Sequence, residues 1–104
     1  MSESEPQQQV AAELDAEILA NTAWVTQHIE RVEATWRAGA QESALSLIDE
    51  GLVRVRRWRD VRLWEMLLLR QRYRVLMMMR RREEAEEALG EADRISESLR
   101  KLSD

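Results

Sequence analysis

The stretches RAGAQESALSLIDEGL (37–52) and RRREEAEEALGEADRI (80–95) decide the fold. In each, a small residue, a large apolar residue and a second small residue stand four and then three positions apart. Ala44, Ile48 and Gly51 form the first triplet; Ala85, Leu89 and Ala92 form the second, 41 residues later. Such spacing puts all three on one face of a helix. The small residues let a neighbouring helix come close, and the large one fills the gap between them. A triplet returning at this interval predicts a repeated helical hairpin.

Upstream, Ser4, Glu5 and Pro6 read as a helix start, a capping hydroxyl followed by proline in the first turn. Val10, Leu14, Ile18, Val25, Ile29, Val32 and Trp36 then form one apolar stripe. Asn21 and Thr22 interrupt it, which predicts a kink or a break. Gly39 ends the segment, as glycine takes the left-handed conformation after a helix.

A second helix is expected over 41–58, with its stripe at Ala44, Ile48, Gly51, Leu52 and Val55. Carried further, that stripe would bury Arg59 and Arg62. The phase therefore breaks near 59, and Asp60 can cap a new helix. One unbroken helix over 41–81 is the alternative, since no proline or glycine marks the joint. The third helix, 61–79, has Val61, Trp64, Leu68, Val75, Leu76 and Met79 on a broad face. Arg59, Arg70, Arg74 and Arg81 lie opposite, interleaved with Leu63, Met66 and Met77. A helix this apolar packs on more than one neighbour. The fourth, 83–102, carries Ala85, Ala88, Leu89, Ala92, Ile95, Leu99 and Leu102. Residues 1–6 read as a disordered tail, 7–102 as one all-α domain of two antiparallel hairpins, and 103–104 as frayed. A four-helix bundle or a dimeric helical hairpin fits the same residues.

With 104 residues, one proline and three glycines, the composition suits a single domain of long helices. Lack of cysteine excludes disulfides, thiolate metal sites and thiol nucleophiles. A single histidine excludes multi-histidine metal sites; His28, beside Glu30, Arg31 and Glu33, reads as a partly buried spacer. Glu83, Glu84, Glu86 and Glu87 lack the Glu-x-x-His spacing of di-iron bundles and read as a solvated helix start. The glycines are too scattered for a phosphate loop. No metal, no cofactor and no enzymatic activity are expected. The longest apolar runs, 66–69 and 75–79, are far short of the ~20 residues of a membrane span. With no basic-then-apolar start, a cytoplasmic protein without a membrane partner is expected.

The net charge of −4 conceals segregation. Residues 1–53 hold ten acids and two arginines, 54–82 eleven arginines and two acids, and 83–104 eight acids and three bases. Either the outer helices neutralise the middle one, or the arginines receive an anionic partner.

The two echoing stretches resemble the turn and second helix of tetratricopeptide repeats, particularly those of longer period. The likeness spans 24–99. It departs at Arg80, where the family has its turn glycine, at Tyr73, where it prefers a small residue, and at His28 and Arg72, where it prefers large apolar ones. The inter-repeat proline is missing. The resemblance implies a scaffold that binds peptides in a groove lined by first helices. By register from Ala85, the groove residues are Leu67, Arg70, Arg74 and Met77 in the second repeat, and Ile29, Glu33 and Trp36 in the first. Paired hydrogen bonds from guanidinium groups there would hold an acidic or C-terminal carboxylate, and Met66, Met77 and Met78 would add adaptable apolar contact. Two repeats leave both ends open, which predicts self-association or docking on a larger partner.

Trp24, Trp36, Trp58 and Trp64 are expected in the core or an interface. Trp58, between Arg57 and Arg59, is the candidate for interface exposure; its other role would be a cap beneath the hairpin. The run RVRRWRD (54–60), within the basic segment Arg54–Arg82, also suits nucleic acid, with arginines for phosphates and an aromatic for stacking. The acidic flanks oppose that. An all-helical enzyme of chorismate-mutase type would need no histidine, but its motif is not legible.

Overall fold

A computed structural model of the chain describes residues 5–58 and 62–103. Four helices follow one another: α1 Glu5–Arg37, α2 Gln41–Val55, α3 Leu63–Met78 and α4 Arg82–Ser103. No strand occurs among the described residues. Short turns join α1 to α2 and α3 to α4, so each pair forms an antiparallel hairpin. The hairpins meet where α3 packs on α2, and α3 also touches α1. The core is built from every helix: Val25, Val32, Ile48, Leu68, Val75, Leu76, Ala85 and Ala92 are all but inaccessible to solvent.

The two hairpin turns are alike in backbone. Gly39 has φ +86° and Arg80, 41 residues on, has φ +62°. The Gly39 N–H donates to Trp36 O at 2.9 Å and Ala40 N–H to Thr35 O at 3.1 Å. Arg80 N–H donates to Met77 O at 3.1 Å and Arg81 N–H to Leu76 O at 2.9 Å. Both sets fill the last carbonyls of a helix through a left-handed residue. Arg80 therefore adopts the glycine conformation without being glycine.

Several sequence expectations are corrected. Asn21 and Thr22 neither break nor end α1, which runs unbroken for 33 residues. Glu5 and Pro6 belong to α1 rather than to a tail; residues 1–4, including the capping Ser4, lie outside the described residues. The unbroken helix over 41–81 is overturned. The N–H groups of Arg57 and Trp58 turn back to the carbonyls of Arg54 and Val55, tightening and closing the end of α2. Asp60, Arg59 and Val61 lie outside the described residues. Inside the hairpin, His28 is a link between α1 and α2 instead of a spacer: it is 4% exposed, and its Nε2 bonds the carbonyl of Leu47. Its ring stacks on Trp24 with centroids 4.6 Å apart.

Over 9–20, α1 is packed on nothing among the described residues. Every residue over 9–20 is exposed, and Val10, Leu14 and Ile18 are 55%, 43% and 45% exposed. They share the stripe that buries Val25 and Val32 further along. At ~1.5 Å per residue a 33-residue helix is ~50 Å long, which accounts for the 61 Å long dimension of the molecule. This half-helix is referred to below as the arm.

Candidate functional site

The helix α3 lies between α1 and α4, and its side chains at 67, 70, 71 and 74 recur at helical spacing toward α1. Together with Ile29 and Glu33 of α1, and with Tyr73 and Leu89, they line an open cleft of about 390 Å³. That volume lies within the usual range for ligand-binding clefts. Leu67, Leu89 and Ile29 give it apolar walls, and two guanidinium groups stand among them. Gln71 is 5% exposed. Its Nε2 donates to the Ile29 carbonyl at 3.3 Å and ties α3 to α1, while its Oε1 is buried without a hydrogen-bond partner.

The cations of the cleft are weakly neutralised. Arg74 Nη2 lies 3.7 Å from Glu33 Oε1, and its guanidinium carbon 5.8 Å from the Trp36 ring centroid. Glu33 is shared with Arg37 at 3.2 Å. Arg70, exposed on the same face, has no ion pair or hydrogen bond to any described side chain. A half-exposed guanidinium without a counter-ion is free to hold a carboxylate in two parallel hydrogen bonds.

Elsewhere the basic segment is largely answered by the protein itself. Arg56 and Arg62 each donate from Nε to Glu65 at 2.9 Å, and Arg56 Nη2 reaches Glu91 at 3.4 Å. Arg72 meets Asp49 at 3.0 Å, and Arg81 meets Glu84 at 2.7 Å. Arg54 stacks over the Trp24 ring at 4.0 Å. The neutralising role expected for the acidic outer helices holds for Arg56, Arg72 and Arg81, and through the longer contact with Glu33 for Arg74, whereas Arg70 stands apart among the described residues. Glu65 is 6% exposed. Burial pushes its carboxyl up, but the hydrogen bonds and charges of Arg62 and Arg56 outweigh burial and hold it below the usual carboxylate range.

Of the residues assigned from sequence, Leu67, Arg70 and Arg74 come together in the cleft. Met77 lies outside its lining, 37% exposed. Met66 is corrected: at 7% exposed it belongs to the core and is closed to a partner. Trp58 keeps part of its surface open to solvent. It is half-buried, edge-on to Trp24 with centroids 6.0 Å apart, and so closes the end of the first hairpin. Ile29 and Glu33, placed by register at the first-repeat positions of the groove, line the cleft with the arginines, and Trp36 lies outside its lining. Sequence reasoning missed Gln71, Tyr73 and Leu89 as lining residues. Leu89 carried a signal as the large member of its triplet; Gln71 carried none. Among the described residues no group of histidine and carboxylate side chains is arranged to hold a metal ion. No described helix is long and apolar enough to cross a membrane. Comparison with protein-family models, with curated proteins and with solved structures finds no match to this chain.

Proposed function

We propose that this chain is a cytoplasmic, non-catalytic protein–protein interaction module. It is a small adaptor or chaperone-like subunit in the manner of a short tetratricopeptide stack, and it takes an acidic, amphipathic segment of a partner into the cleft between α1 and α3. One observation carries the reading. Leu67, Arg70 and Arg74, assigned to a groove by register alone, line one apolar cleft in which Arg70 has no counter-ion among the described residues. Leucine-like side chains of a ligand would enter against Ile29, Leu67 and Leu89. Its carboxylates would meet Arg70 and displace Glu33 from the long contact with Arg74. The arginines already committed to Glu65, Asp49 and Glu84 are poorly placed to take phosphates, which disfavours nucleic acid.

The test uses a fluorescein-labelled helical peptide of leucine and glutamate, with its lysine counterpart as control. Anisotropy should rise with the acidic peptide only. The double change Arg70→Glu, Arg74→Glu should weaken binding about tenfold or more, because like charges then face each other. Equal binding of both peptides, or no effect of the double change, removes the cleft from the proposal.

A further inference from the structure

Whatever else the cleft receives, the molecule carries a segment of the required chemistry. The arm is helical, and Val10, Leu14 and Ile18 form its apolar stripe, each about half exposed to solvent. Glu13, Asp15 and Glu17 accompany them, and no lysine or arginine occurs before Arg31. None of these three carboxylates makes an ion pair among the described residues. An extension of this kind has no packed face to hold it, and helices of its length are marginal alone in water.

We infer that the arm of one copy occupies the cleft of a second copy, and that the exchange is reciprocal, giving a two-fold dimer. The inference rests on the cleft reading above and names its occupant. Length and charge support it together. On α1, Leu14 lies eight residues before Thr22, and the cleft residue Glu33 lies eleven after it, with Ile29 seven after it. Two α1 helices running antiparallel and crossing near Thr22 therefore bring each Leu14 level with the other's Ile29, and each Val10 level with its Glu33. The acids of each arm then face Arg70 and Arg74, and the apolar stripe faces Ile29 and Leu67. The same patch serves both copies, so the assembly closes and does not grow into a fibre. A parallel pairing would set acid beside acid along the whole arm and leave both clefts empty.

Charge reversal tests this by light scattering on the full chain. The wild type should show twice the monomer mass. Two variants, Arg70→Glu with Arg74→Glu and Glu13→Arg with Glu17→Arg, should each be monomeric, since arm and cleft then carry the same sign. Mixed in equal amounts they should form a dimer again, because both arm–cleft pairs become complementary. That recovery also shows that each variant is folded. Leu14→Asp, at an exposed position, should abolish the dimer without loss of helicity in the body. Dimers that persist in both charge variants place the interface elsewhere and overturn the inference. Variants that are monomeric and stay so on mixing overturn it too. A monomeric wild type that still binds the acidic peptide overturns self-docking alone, and one that binds nothing overturns the cleft reading with it.

Discussion

Gly51 shows how one missing methyl group fixes a helix pair. A Cβ built there would stand 2.9 Å from His28 Cδ2, 3.1 Å from His28 Nε2 and 3.2 Å from Leu68 Cδ1. The His28 ring cannot yield, since it is bonded to the Leu47 carbonyl and stacked on Trp24. Gly51→Ala should therefore destabilise the fold by about 1–3 kcal/mol, less the helix propensity gained. Gly90 is also helical, but its added Cβ would meet nothing within 4 Å. The same change there should stabilise by about 0.5–1 kcal/mol. Thermal melts of Gly51→Ala and Gly90→Ala should move in opposite directions; parallel shifts would mean that His28 does not press on α2. Arg80 gives a third case at this scale. At φ +62° it bears the left-handed penalty that Gly39 escapes. Arg80→Gly should raise the melting temperature by a few degrees, net of the extra chain entropy of glycine.

At the scale of elements, the joint between the hairpins depends on Glu65. Its carboxylate receives Arg56, just past the end of α2, and Arg62, at the start of α3, each at 2.9 Å. One buried acid thus fastens Arg56 to Arg62, both of which remain half-exposed to water. Its folded pKa is depressed, so its contribution is fully present above the unfolded carboxyl value of about 4.3. That contribution is lost as pH falls through the lower, folded value. Glu65→Gln should cost about 1 kcal/mol at neutral pH, a modest figure because both partners are half-exposed. The gap between wild type and variant in urea midpoint should hold at pH 6–7 and narrow in acid. A gap independent of pH would show that packing, and not charge, holds Glu65 in place. The helix boundaries around this joint were legible, because the apolar phase of α2 cannot pass Arg59 and Arg62. The clamp was not, because Glu65 sits among arginines on an apolar helix and reads as an ordinary exposed acid.

For the whole molecule, the charge segregation has two uses. Acidic α2 and α4 neutralise Arg56, Arg72 and Arg81 across helix boundaries. The acids of the arm lie outside that arrangement, as does Arg70, and these remainders are complementary. The stack also ends by sequence: where α2 presents the buried Leu45 and Leu52, α4 has Glu86 and Asp93 at the corresponding positions, both exposed. A further hairpin could not dock on α4 as α3 docks on α2. Raising salt should weaken the proposed dimer, since the Debye length falls to about 3 Å at 1 M, while the apolar stripe would keep part of the affinity.

Four helices, a break between α2 and α3 and the left-handed turn at Gly39 are legible from the chain alone. So are the two close-packed triplets and the presence of Leu67, Arg70 and Arg74 on one face of α3. These follow from periodicity and backbone preference, which act within one segment. Only the tertiary structure decided which sides of α3 a neighbour covers. A helical wheel gives the direction of a side chain but not what lies there, and α3 has neighbours on several sides. Met66 was consequently closed in, Glu65 was buried with its two arginines and Gln71 against the Ile29 carbonyl, and Ile29 and Glu33 line one cleft with Arg70 and Arg74. The arm illustrates the converse: its stripe is the same as that of the buried half of α1, and only the length of α2 leaves it uncovered.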